Sequence, residues 1–594
     1  MPSLLYYPTV LAAAAILASA QTSGLGVDLG YSIYQGLRNE TTDLNVWKGI
    51  RFAAPPTEAL RWQAPQPPVE DRTEPIPATS PGPICPQVMP AQPNAFFIPG
   101  DEDCLFLNVY APPPSCESAE KSLLPVLVWI HGGGYGFGDG RQDMSEIIND
   151  GGRGFVVVAV QYRLGAFGFL SSADVHEKGV VNAGLLDQLF ALEWVQKHIE
   201  LFGGDPARVT VSGESAGGGS IMLHSLAKGG QLGTSLFVNA IAASPYLPPQ
   251  YNYDDAVPTS RYIDFAREAG CGPPAASEAV FECLVEKDSM ILQQASFNVS
   301  TTQLYGTWAF LPVTGGSYIQ RRPSEQLSTG SINGQRILVG NNADEGPMFV
   351  PLNITTIDNL IDWTHTVFPN FSDEDVNSLL EAYPSSDEPT DPDAPKYPTS
   401  GHGPTTAINV SLVATGQQQR ANNIYAEATF ICPSYWLAEA YSTIPNKDND
   451  SNSSSNFISY KYQYSIPLAL HTEDIPAYFG PARPNQGPEF TRTFRTMWAN
   501  FITKNDPSIT STDGNDIPTI DWPPFSTRVP RQLNLNQTGG TPYEATRPYF
   551  PVPVTQYGMP GLESEIVVVD AYEWEGGRGK RCEFWKGVSG KVPM

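Results

Sequence analysis

Arg208-Val-Thr-Val-Ser212 runs without a break into Gly213-Glu214-Ser215-Ala216-Gly217-Gly218-Gly219. The first five residues read as a short strand, and the glycines after them fit a sharp turn into a helix. In such a turn, glycine at 213 and 217 lets neighbouring backbone come close, and the Ser215 hydroxyl is lifted above the carboxyl end of the strand. A Gly-rich loop with no chemistry has the same local pattern, so the rest of the chain must decide between the two.

Similar strand-like runs are Pro125-Val-Leu-Val-Trp-Ile130, Gly154-Phe-Val-Val-Val-Ala-Val160 and Arg336-Ile-Leu-Val-Gly340. They are continuous and β-branched rather than alternating, as strands covered on both faces are, and they predict a mostly parallel sheet. Between the second of them and Arg208, Leu186, Leu189, Phe190, Trp194 and Val195 recur at helical spacing, which completes a strand, helix, strand crossover. The expected class is α/β, a twisted sheet flanked by helices, with large loop insertions. No repeat or long linker divides the chain, so residues 21–594 are expected to form one domain. Segments 384–404 and 446–456, rich in Pro, Asp, Ser and Asn, read as surface insertions.

The 594 residues are 41% hydrophobic and 16% charged, enough apolar material for a large core. Lys and Arg total 35 against 62 Asp and Glu, a net charge of −27 that repels phosphate backbones and argues against nucleic acid as a partner. Residues 1–20 resemble a secretory signal peptide: the apolar run Val10 to Leu17 precedes the small residues Ala18-Ser19-Ala20. No later stretch is apolar for the ~20 residues a membrane span needs. A secreted, extracellular protein without a stable membrane anchor is therefore expected. Asn-x-Ser/Thr sequons at Asn39, Asn298, Asn353, Asn370, Asn409, Asn449, Asn452 and Asn536 agree with export and are expected on exposed loops. The seven cysteines lack the paired spacing of zinc sites, so disulfides plus one leftover thiol are expected, and no metal site.

After the strand 125–130 comes His131-Gly132-Gly133-Gly134-Tyr135-Gly136. If these glycines face Ser215, the N–H groups of Gly133, Gly134 and Ala216 converge on the oxygen that becomes negative when a carbonyl is attacked. No lysine follows them as a phosphate loop requires. A serine nucleophile needs a base. The chain order of this architecture is serine, acid, histidine, which leaves His365, His402 and His471 of the seven histidines. His365 follows a helix-like stretch, and His402 lies in the Pro-rich insertion. His471 opens a loop after the strand-like run 457–464 and is the best placed by context. For the acid, Asp344 and Glu345 both follow the strand 336–340, and spacing does not choose between them.

These residues resemble the type-B carboxylesterase and lipase family, the cholinesterase-like α/β-hydrolases, in its secreted fungal branch. Glu102-Asp103-Cys104-Leu105-Phe106-Leu107-Asn108-Val109-Tyr110 looks like one family motif. The stretch from Phe202-Gly203-Gly204-Asp205-Pro206 through Gly213-Glu214-Ser215-Ala216-Gly217-Gly218 looks like the other, with further matches at Tyr162-Arg163-Leu164-Gly165 and Cys582-Glu583-Phe584-Trp585. The resemblance implies Ser215 as nucleophile, Glu345 rather than Asp344 as acid and His471 as base. It also implies disulfides Cys85–Cys104, Cys271–Cys283 and Cys432–Cys582, with Cys116 as the odd thiol, and it implies no cofactor. In family lipases the first disulfide closes a lid loop. Residues 86–103 are short for one and carry Phe96 and Phe97 but no Trp, which argues against a choline site. Relatives often read Ser-Gly-Ser-Pro where this chain has Ala242-Ala243-Ser244-Pro245, so a hydroxyl near the triad is expected to be missing. The implied function is a serine carboxylesterase acting on a small-molecule ester. An interfacial lipase acting on acylglycerols or sterol esters and a non-catalytic cholinesterase-like binding or adhesion protein are the alternatives.

Overall fold

The computed structural model describes residues 24–114, 122–272, 279–384, 390, 394–442, 457–514, 516–547 and 550–594. Residues 1–20, expected as a signal peptide, Cys116, the sequons at Asn449 and Asn452 and the segment 446–456, expected as an insertion, lie outside the described residues.

The strands are β1 (Gly26–Asp28), β2 (Ile33–Gln35), β3 (Leu37–Asn39), β4 (Leu44–Arg51), β5 (Ile76–Pro77), β6 (Phe106–Ala111), β7 (Leu124–Ile130), β8 (Val156–Val160), β9 (Gly204–Glu214), β10 (Asn239–Ala243), β11 (Arg336–Asn342), β12 (Ile458–Tyr464), β13 (Arg531–Arg547) and β14 (Phe550–Asp570). β1, β2 and β5 make a small separate sheet. The others form an 11-stranded sheet in the order β14-β13-β12-β11-β10-β9-β7-β8-β6-β4-β3. From β8 to β13 every neighbouring pair is parallel, while β14, β6, β4 and β3 pair antiparallel at the two ends. The predicted sheet is therefore present, with antiparallel margins.

Alternate residues of the central strands feed two cores. Val126, Val128 and Ile130 of β7 and Val156, Val158 and Val160 of β8 pack on one face. Leu127, Trp129, Val157 and Ala159 pack on the other, against Phe490, Phe494, Met497 and Trp498 of the helix Pro488–Lys504. Burial on both faces is why these strands read as unbroken apolar runs. The predicted crossover helix spans Ala183–His198, but its buried stripe differs from the apolar one. Asp187 and Gln188 are fully buried, while Leu186, Leu189 and Phe190 are only half-buried. The cause is a buried ion pair: Asp187 accepts from the Arg163 guanidinium at 2.8 and 2.7 Å and from its amide at 3.0 Å.

Disulfides join Cys85 to Cys104, Cys271 to Cys283 and Cys432 to Cys582. Of the described sequons, Asn353, Asn370 and Asn409 are exposed. Asn39 and Asn536 lie in strands and Asn298 in the helix Ser289–Thr301, all half-buried, contrary to the loop expectation. Of the segment expected as a surface insertion, Gly401 is buried, and beyond it Thr406 to Ile408 are buried too.

β7 is followed in sequence by β8 on one side and later by β9 on the other, so the strand order reverses between β7 and β9. The crevice outside their carboxyl ends is where open α/β sheets place ligands. His131 to Gly136 and Ser215 both emerge there.

Candidate active site

β9 ends at Glu214, and the chain turns at Ser215 with φ 56° and ψ −123° before the helix Ala216–Gly230 begins. A serine at positive φ is strained and persists only where its surroundings over-determine it. Here its amide donates to the Ala243 carbonyl at 3.0 Å, and its own carbonyl accepts from the amides of Tyr246 at 3.0 Å and Gly219 at 2.8 Å. Glycine is required at 217, because a Cβ there would stand 2.1 Å from the Ile130 carbonyl oxygen at the end of β7.

His471 lies on the loop after β12. Its Nε2 is 2.8 Å from Ser215 Oγ and its Nδ1 is 2.5 Å from Glu345 Oε2. Glu345 sits just beyond β11 and is fully buried; its Oε1 accepts from Ser244 Oγ and from the Asn342 amide, each at 2.6 Å. Ala242 brings no hydroxyl to these groups; the serine two residues on, Ser244, is the one that donates to Glu345. Asp344 is engaged elsewhere, accepting from Gln419 Nε2 at 3.2 Å. Neither competing histidine comes near. His365 pairs with Asp373 at 3.5 Å, and exposed His402 packs its ring edge-on to Trp574. His131 is buried, stacked on Tyr162, with Nδ1 2.8 Å from the Gly132 carbonyl.

The glycine loop lies against the serine, since a Cβ at Gly132 would stand 2.9 Å from Ser215 Cβ. Gly133 and Gly134 have φ of +102° and +62°, which aims their amides in a way side-chain-bearing residues resist. Among the described residues nothing accepts from the amides of Gly133, Gly134 or Ala216. Ala216 also opens a helix, whose amino end favours negative charge. The loop closed by Cys85–Cys104 braces this arrangement: the Val88 amide donates to the Gly136 carbonyl at 2.7 Å, and the Val88 carbonyl accepts from Trp308 Nε1 at 3.2 Å.

Two further buried carboxyls crowd the imidazole. Glu214 Oε1 is 3.5 Å from His471 Nε2. Burial first, and then repulsion from Asp474 and Glu345, pushes the Glu214 carboxyl well above the usual carboxylate range. Asp474 is raised to about 7, by burial and then by Glu345. Sequence reasoning missed Asp474 as a neighbour of the site, and spacing holds no signal for it. Asp474 makes a stability prediction with a definite sign. Between its ordinary value and about 7 the folded chain holds a proton that the unfolded chain releases, so this contribution is complete at low pH and is lost as pH rises through about 7. Asp474→Asn should therefore lose less stability than the parent between pH 5 and pH 8, measured by urea unfolding. Equal slopes would remove Asp474 as a titrating group.

An aromatic wall surrounds these residues. The Phe430 ring lies 4.3 Å and Phe349 5.2 Å from the His471 ring, centre to centre. Trp308 presses on the glycine loop so closely that a Cβ at Gly134 would stand 2.4 Å from its ring. Behind Trp308 and Tyr246 is a cavity of about 370 Å³, lined mainly by apolar groups including Leu304, Phe310, Leu311 and Phe368.

The sheet and the strand, serine, helix turn beside a glycine loop define an α/β-hydrolase. The model of the carboxylesterase family matches residues 27–549. The chain is 32% identical over 412 residues to Lipase 2 of Geotrichum candidum, covering 63% of this chain and 71% of that protein. It is 28% identical to Secreted lipase 4 of Gibberella zeae, covering 82% of each. Among solved structures, that of Aspergillus niger EstA aligns with a TM-score of 0.72 and 26% identity, covering 96% of this chain and 99% of that one. The chain belongs to the carboxylesterase family and is a carboxylic ester hydrolase.

Proposed function

We propose that this protein is a secreted serine carboxylesterase, with residues 1–20 as its signal peptide and 21–594 as one catalytic domain. Ser215 is the nucleophile, His471 the base and Glu345 the acid that orients it, with the amides of Gly133, Gly134 and Ala216 as the oxyanion site. The observation that carries this reading is the unbroken line from Ser215 Oγ through both ring nitrogens of His471 to Glu345. Secretion is supported by the leader-like sequence and by relatives named as secreted lipases. No helix among the described residues is long and apolar enough to cross a membrane.

As Ser215 Oγ attacks the ester carbonyl carbon, its proton passes to His471 Nε2, and the carbonyl oxygen takes the negative charge into the oxyanion site. Collapse breaks the bond to the alcohol oxygen, which leaves with the proton from His471. Water then attacks the acyl-serine by the same route, releasing the acid and restoring Ser215. A radiolabelled organophosphate should label the protein once, on the Ser215 peptide, with activity lost in proportion. Labelling of another residue would overturn the assignment.

The apolar cavity favours a second, narrower reading as a lipase on acylglycerols or sterol esters. Trp308 stands between it and the glycine loop. Trp308→Ala should raise the hydrolysis of dodecanoate relative to acetate p-nitrophenyl esters by roughly tenfold, the scale of one or two apolar contacts. An unchanged ratio would exclude the cavity as an acyl pocket.

A further inference from the structure

A second cleft, of about 790 Å³, lies at the β13–β14 end of the sheet, where the segment 398–402 and Trp574 face it. Its walls are rich in side-chain amides. Asn534 and Asn536 point to one face of β13, two residues apart as strand geometry requires. Asn485 comes from the loop before the helix Pro488–Lys504, and Gln537 from the start of the hairpin's outer half.

These amides are only half used. Asn534 Oδ1 accepts from Ser465 Oγ at 2.6 Å, and Gln537 Oε1 accepts from the Gly487 amide at 3.1 Å. Their NH₂ groups have no acceptor among the described residues, though Asn534 is 5% and Gln537 8% exposed. Asn485 Oδ1, Asn536 Oδ1 and Trp574 Nε1 are also without partners among the described residues. Unused donors and unused acceptors therefore border one cleft, from both faces of β13. The group that answers both is a hydroxyl, which donates and accepts at the same oxygen. No lysine or arginine lines the cleft, and Glu565 is its one carboxylate among the described residues. Tyr557 is half exposed, lines the cleft as Leu562 and Val567 do, and offers flat apolar surface.

We propose that this cleft binds a neutral oligosaccharide: the amides meet the sugar hydroxyls, and Tyr557 meets a C–H face of a pyranose ring. The site is separate from the ester-cleaving centre, although its wall at Ser465 to Pro467 continues into the loop that carries His471. The sugar has two sources, a free polysaccharide or a glycan on the chain's own Asn536, whose sequon lines the cleft.

The test is calorimetry on the full chain with hexamers of β-1,4-linked glucose and of N-acetylglucosamine. One saturable site on the parent protein is expected, weakened at least tenfold by Asn534→Ala and by Tyr557→Ala, with p-nitrophenyl acetate hydrolysis unchanged in both. If the parent is silent but Thr538→Ala, which deletes the sequon and keeps Asn536, binds a hexamer, the cleft is filled by its own glycan and the proposal stands. Absence of binding in both proteins would overturn it. So would affinity that neither cleft variant changes, or equal competition by an uncharged peptide of similar length.

Discussion

Ser215→Ala is expected to lower kcat for any ester by at least about ten-thousand-fold while leaving the fold in place. The substitution removes one oxygen and keeps the Cβ, so the backbone bonds from Ser215 to Ala243, Tyr246 and Gly219 that hold the turn at φ 56° are untouched. Stability should shift by no more than about 1 kcal/mol, the usual worth of one hydrogen bond. What survives is the proposed oxyanion site. Amides that carry no partner of their own continue to polarise a bound carbonyl, so a rate above that of water alone is expected to remain. The measurement is hydrolysis of p-nitrophenyl acetate beside a urea unfolding curve. A variant that folds as the parent does and keeps more than a tenth of its kcat would place the nucleophile elsewhere.

The parts of this site that could be read in advance are those where the backbone itself is constrained. Glycine at 217 is dictated by a carbonyl 2.1 Å from where a Cβ would lie, and the run of glycines from 132 to 134 by positive φ and contact with Ser215, so both leave marks in the sequence. The central strands are legible for a similar reason, since burial on both faces demands apolar residues at every position. Side chains that act by meeting across the fold leave no such mark. Ser244 and Glu345 are brought together by the pairing of β10 with β11, and Asp474 reaches the site because its loop folds back on Asn342. The crossover helix shows the opposite failure. Its apolar residues form a convincing stripe, yet the Arg163–Asp187 pair turns a polar position into the core, where a bidentate partner and an amide satisfy the charge. The pairing of β13 with β14 was not expected at all, because proline, glycine and threonine punctuate both strands and much of the hairpin faces solvent.

Glu345→Gln separates a role in chemistry from a role in packing, because the side chains are nearly the same shape. Three donors converge on this carboxylate: Ser244 Oγ and the Asn342 amide on one oxygen and His471 Nδ1 on the other. A carboxylate accepts from all of them, but an amide has one accepting end. If the glutamine oxygen faces Ser244 and Asn342, its NH₂ meets His471 Nδ1. The imidazole must then carry its proton on Nε2, where it cannot take one from Ser215. If the oxygen faces His471 instead, the NH₂ is set against the Asn342 N–H, a buried clash of donors. The first arrangement leaves fewer donors unsatisfied, so the wrong tautomer should prevail. The expected loss is about 10³ to 10⁴-fold in kcat with KM little changed. Glu345→Asp, which keeps the charge on a shorter arm, should recover part of it. Labelling of Ser215 by an organophosphate should slow in parallel, since the same proton transfer activates the serine. A glutamine variant within tenfold of the parent in kcat would show that His471 is held and charged by other groups, with Glu214 Oε1 at 3.5 Å the first to examine.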